Sequence, residues 1–298
     1  MLTIFTIPKP FKGHIATIQR NAIHSWRLML PRPEIILFGN EEGAAQVAAE
    51  LGLLHEPQIA SNEHGTPLLD DLFLRAESRA SSQWMCYVNA DILLLSDFGG
   101  AVEQVTKVFG RFLCVSKRMN IDVPEAIKFS SDWETPIKVR CRETGQPGDH
   151  TSIDVFVFPK GAYRNVPNFG IGRLWFDQWL IKAAKEEKIP VVDLSLVAPV
   201  LHQNHDYNHV DGGRERIWLG KEAEHNLRLY GGVKHACTLL DVTHELTADG
   251  TFRRVRLRRL AFETQHLFWD LFVRRTVGLR NVLKMRKKFW QPGHSRNG

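Results

Sequence analysis

"YVNADILLL", residues 87–95, decides how the rest of the chain is read. Tyr87-Val88 and Ile92 through Leu95 have the apolar make-up of a buried strand. Asn89 and Asp91 interrupt it. Side chains two apart in a strand face the same side, and two polar groups buried together without partners are costly. The strand is therefore expected to end near Asn89, with both side chains meeting something polar beyond its edge.

Outward from this stretch, strand-like and helix-like segments alternate. LTIFTI (2–7) reads as a strand stopped by Pro8 and Pro10, and residues 14–30 suit a helix. EIILFG (34–39) is a second strand, followed by an Ala-rich helix over 42–52 that Gly52 ends. HEPQIA (55–60) reads as a short third strand. Thr66-Pro67 reads as the N-cap and first turn of a helix with Leu68, Leu69, Leu72, Phe73 and Ala76 on its apolar face. FLCVS (112–116) and SIDVFVFP (152–159) are further strands. A glycine-containing turn then opens a helix within 169–187, and a strand from Ile189 runs into a histidine-rich loop. Residues 237–259 read as a β-hairpin turning at Ala248-Asp249-Gly250. This alternation predicts an α/β layered fold with a largely parallel sheet.

The chain has 298 residues, 43% of them hydrophobic and 24% charged, which is enough for a large core in one or two domains. Its four cysteines show no CxxC spacing, which argues against a disulfide framework and for a reducing, cytoplasmic setting. The start lacks an apolar run long enough for a signal peptide, and no stretch has the length of a membrane span. The net charge of +6 is unevenly placed: residues 251–298 hold 13 Lys and Arg against two acids, a balance of +11, which leaves −5 for the first 250. A basic, specific nucleic-acid-binding body is disfavoured, although the tail alone could bind such a polyanion without specificity.

Three groups of residues could carry chemistry. Ligands of open α/β sheets bind beyond the carboxyl ends of the strands, where Asp91 is placed to hold a hard cation bridging a diphosphate. LHQNHDYNH (201–209) offers His202, His205, Asp206 and His209, and histidine is a common metal ligand. His205 is the preferred ligand and His202 its competitor. GIGRLWFDQWL (170–180) sets Asp177 early in a helix, either as a general base facing a cleft or as a carboxylate favoured by the helix dipole. Lys117 and Arg118 follow a strand, either as part of a solvated loop or as added positive charge for the diphosphate. Asp154 alternates with apolar neighbours and could face the cleft or be a buried structural carboxylate.

Together these stretches resemble a GT-A fold nucleotide-sugar glycosyltransferase of the family 2 type, over about residues 1–209. The resemblance implies a mixed sheet flanked by helices, with residues 210–298 as a C-terminal extension of hairpin and helix. It implies sugar transfer from a nucleoside-diphosphate donor to a hydroxyl acceptor, assisted by Mn2+ or Mg2+. In it Asn89-Ala90-Asp91 stands for the family's Asp-x-Asp triplet, with Asn89 in place of the first acid. His205 or His202 completes the metal site with Asp91, and Asp177 is the base. Phe176 stands where many members carry an acid. Thr6, Asn40 and Arg118 fall on the donor side, and Asp154, Gly172 and Trp175 on the acceptor side. A sugar nucleotidyltransferase is the rival enzyme, but TIPKPFKGH (6–14) lacks the glycine-rich run expected after the first strand. Residues 260–290 pair large apolar side chains with Lys and Arg, the pattern either of an in-plane helix on an anionic membrane surface or of a helix packed on the acidic body.

Overall fold

The computed structural model describes residues 1–205, 220–232 and 236–265. The chain divides into two units, Met1–Val255 and Arg256–Gly298. The described part of the second is residues 256–265, helical from Arg258. The first unit begins with β1 (Leu2–Thr6), α1 (Gly13–Arg27), β2 (Glu34–Phe38), α2 (Ala44–Leu51), β3 (Leu54–Glu56), α3 (Leu69–Arg79) and β4 (Trp84–Val88). It continues with β5 (Ile92–Leu93), α4 (Ser96–Val108), β6 (Leu113–Ile121), α5 (Glu134–Thr144), β7 (Gln146–Pro147) and β8 (Ile153–Pro159). Then come α6 (Phe176–Glu186), β9 (Val191–Asp193), β10 (Val200–Gln203), α7 (Lys221–Tyr230), β11 (His244–Leu246) and β12 (Phe252–Arg254).

The central sheet runs β12-β11-β9-β6-β8-β4-β1-β2-β3. Strands β4, β1, β2 and β3 are parallel to one another. Strand β8 lies antiparallel between β4 and β6, so the sheet is mixed. The carboxyl ends of β1, β2 and β4 therefore share one edge with the beginning of β8, and that edge carries the site. Alternation along the strands feeds two cores. Ile4, Cys86 and Val88 pack with α1, α2 and α4 on one face, while Phe5, Met85 and Tyr87 pack with α3 and α6 on the other. Beyond the edge, β5 and β10 pair with each other and β10 pairs with the far half of β6.

Several local expectations shift. Thr66 does not cap α3, which starts two residues after Pro67 with Leu68 as its N-cap. Pro67 and Leu68 bridge instead to Ser61 and Gly170, which postpones the helix. The third strand covers 54–56 rather than 55–60. Lys117 and Arg118 lie inside β6, past an irregularity between Val115 and Lys117, not in a loop after it. The strand read from Ile189 is two strands, β9 and β10, in different parts of the sheet. The hairpin forms as expected and extends the sheet beyond β9. Asp206, His209 and the part of the tail reading that falls on 266–298 lie outside the described residues.

Helix α1 fixes the segment after the triplet. Trp26, fully buried, donates its indole N–H to the carbonyl of Ile92 at 2.8 Å, and the Ser25 hydroxyl accepts from the Leu94 amide at 3.1 Å. Gln203 at the end of β10 is also fully buried. Its amide nitrogen donates to the carbonyls of Ile18 and Asp91, and its amide oxygen accepts from Asn21. One side chain thus ties α1, β10 and the Asp91 backbone together, and every partner is left buried if it is removed. Gln203→Leu is expected to lower stability by about 2–4 kcal/mol in urea unfolding, the cost of such orphaned groups. A loss below about 0.5 kcal/mol, the scale of an ordinary surface change, would mean the joint carries little.

Candidate active site

Strand β4 ends where the sequence predicts. The Asn89 amide donates to the Asp154 carbonyl and the Ile92 amide to the Asn89 carbonyl, both at 3.1 Å, so the triplet is a tight turn between β4 and β5. The turn sends the Asp91 carboxylate toward the end of β10. His205 Nε2 lies 3.1 Å and His202 Nε2 3.9 Å from Asp91 Oδ2. One ligand atom from each of the three residues fits within 4.8 Å of the others. Burial disfavours charge on Asp91, but the His205 hydrogen bond and nearby positive charge hold its carboxyl well below the usual range. Burial lowers His202, keeping its imidazole neutral and able to ligate. Asp91 Oδ1 and His202 Nδ1 are buried without a hydrogen-bond partner among the described residues. A carboxylate with an orphaned oxygen beside two imidazoles is a donor set that fits a divalent cation. Both histidines named by the sequence are brought to Asp91.

Asn89 does a different job. Its amide nitrogen donates to Asp154 Oδ1 at 2.7 Å, and its amide oxygen accepts from the Tyr87 hydroxyl at 3.2 Å. Asp154 Oδ2 in turn accepts from Arg118 Nη1 at 3.0 Å. The result is a polar chain from Tyr87 through Asn89 and Asp154 to Arg118. It explains the amide in the triplet: an aspartate at 89 would face the Asp154 carboxylate at hydrogen-bond distance, and two such charges repel.

Asp177 lies in the first turn of α6. Its Oδ1 is buried without a partner among the described residues, and its Oδ2 accepts from the Gln178 side chain at 3.1 Å. Burial, helped by the charge of Asp154, raises its pKa to about 7 against the pull of backbone donors such as Gln178. Tyr87 is buried among the same acids, and the charges of Asp154, Asp91 and Asp177 add to burial in raising its phenol. The Asp91–His202–His205 cluster and Asp177 are thus parts of one electrostatic neighbourhood.

The loop presenting Asp177 is clamped. Gly172 has φ 75 and Trp175 φ 90, and the latter is a strained conformation for a bulky residue. Asn226 of α7, fully buried, accepts from the Gly170 amide at 2.9 Å and donates to the carbonyls of Gly170 and Leu174 at 3.0 Å. Arg173 pairs with Glu222 of α7 at 2.8 Å and also donates to Thr66 Oγ1. The sequence reading did not include α7. Its Glu-x-x-x-Asn spacing, 222 to 226, sets both residues on one helical face and was the available signal.

Of the remaining predicted residues, Thr6 ends β1 fully buried, with its hydroxyl unpartnered among the described residues. Asn40 is exposed just past β2. Sequence reasoning missed Lys9, whose Nζ lies 3.3 Å from His205 Nε2 and 3.8 Å from Asp91 Oδ2. Between Pro8 and Pro10 it reads only as a strand breaker.

No protein-family model matches the chain. No curated protein matches it either. Solved structures do. The crystal structure of S. aureus TarS 1-349 in complex with UDP-GlcNAc is 11% identical, covering 77% of this chain and 65% of that one, with a TM-score of 0.49. Without that ligand the coverage is 68% and 57% and the TM-score 0.40. The chain thus spans less than two thirds of TarS 1-349. Glucosyl-3-phosphoglycerate synthase from Mycobacterium tuberculosis, in complex with Mn2+, UDP and phosphoglyceric acid, is 11% identical over 86% of both chains, with a TM-score of 0.45.

The Asn89–Asp154 contact yields a signed expectation. Asn89→Asp adds a carboxylate against Asp154, so one acid of the pair takes a raised pKa and binds its proton more tightly folded than unfolded. The penalty is therefore absent at low pH and grows as pH rises. The variant should be destabilised by about 1–3 kcal/mol at pH 8 and by less at pH 5, read from denaturant midpoints. Equal midpoints for variant and parent at both pH values would show that the amide does not separate two charges.

Proposed function

We propose that the protein is a glycosyltransferase of the GT-A kind, moving a sugar from a nucleoside-diphosphate donor to a hydroxyl acceptor in a single displacement. One observation carries this reading. A carboxylate–imidazole cluster fit for a cation lies at the carboxyl edge of the sheet, and Asp177, a half-buried acid with a pKa raised to about 7, acts on the same Tyr87 phenol as Asp91. That edge is where ligands of α/β sheets bind.

In this reading Asp91, His202 and His205 hold a divalent cation, Mn2+ or Mg2+. When bound, that cation supplies positive charge for the diphosphate as it leaves. Asp177, its Oδ1 unpartnered, accepts the proton of the acceptor hydroxyl as the acceptor oxygen bonds to the anomeric carbon and the bond to the diphosphate breaks. Arg118, steered by Asp154, adds charge on the donor side, and Asn40 borders the nucleoside, whereas Thr6 is fully buried and offers it no surface. Gly172 and Trp175 shape the acceptor side, where the Asn226 clamp keeps Asp177 in place. Asp154 is better supported as the partner of Arg118 and Asn89 than as an acceptor ligand.

The test is turnover of a panel of sugar nucleotides, with and without Mn2+, across pH. A base with a pKa of about 7 works only when ionised, so the rate should rise with pH through that value and level off above it. Asp177→Asn should lose this rise and about 10²-fold or more in kcat, with donor affinity nearly unchanged. Turnover of no donor by the parent protein would sink the proposal, and normal turnover by Asp177→Asn would place the base elsewhere.

The acceptor side of the proposal includes a membrane surface. Among the described residues no helix is long and apolar enough to cross a bilayer. The basic, apolar sequence of 260–290 suits peripheral contact with anionic lipid instead, each Lys or Arg near such a surface being worth about 1 kcal/mol. Full-length protein should sediment with anionic vesicles at low salt and less at high salt. A variant with Lys284, Arg286, Lys287 and Lys288 all changed to Gln should lose most of that binding. Equal sedimentation of both proteins, or none by either, would refute the membrane contact.

A further inference from the structure

Lys9 sets its ammonium against the Asp91 and His205 members of the Asp91–His202–His205 cluster. Its placement is built. The Lys9 amide donates to Gln19 Oε1 at 2.6 Å, and Gln19 Nε2 donates back to the Lys9 carbonyl at 2.8 Å. Gln19 is 2% exposed, on the inner side of α1. The segment leaving β1 is thus fastened at the residue whose ammonium reaches the cluster.

That ammonium meets the same atoms a metal would use. Nζ is 3.3 Å from His205 Nε2 and 3.8 Å from Asp91 Oδ2. Asp91 Oδ2 is itself 3.1 Å from His205 Nε2. One ring nitrogen either donates to the carboxylate or offers its lone pair to the ammonium. A metal on His205 through this nitrogen needs that lone pair, so it displaces Lys9. Charge points the same way. The negative charge of Asp91 is already faced by Lys9. A bare divalent cation entering the cluster meets little net negative charge and a like charge a few ångströms off, where repulsion is strong. A nucleoside diphosphate changes both conditions, since its phosphates bring negative charge and give the ammonium another partner.

Resting on the glycosyl-transfer reading above, we propose that Lys9 is a built-in counter-ion that closes the cluster to free divalent metal. It turns onto the diphosphate when nucleotide arrives, so metal and nucleotide bind as a coupled pair. Lys9 is then a donor-binding residue as well as the counter-ion of Asp91. Because coupling is reciprocal, the metal must tighten nucleotide binding by the same factor.

The experiment is Mn2+ titration of the full chain by calorimetry, with and without UDP, for the parent protein, Lys9→Gln and Lys9→Arg. In the parent, UDP should tighten Mn2+ binding by about tenfold or more, within the usual range of coupling between sites. Lys9→Gln removes the resident charge, so Mn2+ alone should bind about tenfold tighter than to the parent and the benefit of UDP should shrink. Lys9→Arg keeps the charge and should keep the parent's order of affinities. Mn2+ alone binding Lys9→Gln no more tightly than the parent overturns the role of Lys9 and leaves the metal site standing. No Mn2+ bound by any of the three, even with UDP, overturns the metal site and the inference together.

Discussion

The carbonyl oxygen of Asp91 is held twice by Gln203, by its backbone amide at 3.2 Å and its side-chain amide at 3.1 Å, and the site is arranged about this joint. A polar triplet leaving an apolar strand must be fixed by something other than hydrophobic contact. Here the fixing groups are amides buried on the inner side of α1 and at the end of β10. Gln203 reaches Ile18 and Asn21, and Asn21 reaches on to the backbone of Glu125 and Ile127. Such a network is stiff because each member is enclosed and each lost bond leaves a buried polar group. It sets the direction of the Asp91 carboxylate, and it carries His202 and His205 with the same strand end.

Around this joint, two carboxylates are driven in opposite directions by their surroundings. Asp91 has imidazole and ammonium neighbours, so it stays ionised despite burial. Asp177 is desolvated and has the negative charge of Asp154 near it, so it holds its proton up to about 7. Environments that push two acids apart allow one to work as a fixed charge and the other as an exchanger of protons. Asn89 keeps the two halves compatible. It spends its donor on Asp154, which spends its other oxygen on Arg118, and the edge avoids a run of unneutralised carboxylates.

Most of the layered fold was legible, because alternation of short apolar runs with amphipathic stretches survives in the sequence. The end of β4 and the place of Asp177 in the first turn of a helix were legible because each breaks an apolar pattern, whereas the link between Asp91 and the histidines came from the family resemblance. Other features were hidden by long-range contacts. Thr66 has the chemistry of a cap, yet Pro67 bridges to nearby Ser61 and Leu68 to distant Gly170. Lys117 and Arg118 look like loop residues, but a register shift lets β6 continue to a second set of partners, β7 and β10. Gln19 and Asn21 are polar residues of a helix and yet only 2% exposed, because Gln19 is tied to the backbone of Lys9 and Asn21 to the Gln203 side chain and the backbone of Glu125 and Ile127.

The Asn226 clamp has a consequence for how the protein opens. The Gly170 amide lies outside the helices and long strands, yet its partner is an enclosed side chain from a helix 56 residues further on. Amides of this kind exchange with solvent when the clamping element lifts, not when the loop alone fluctuates. The hydrogen-exchange rate of Gly170 is therefore a clock for the docking of α7. It can be read while the central sheet stays fully protected, and it separates release of the Asp177 loop from unfolding of the domain.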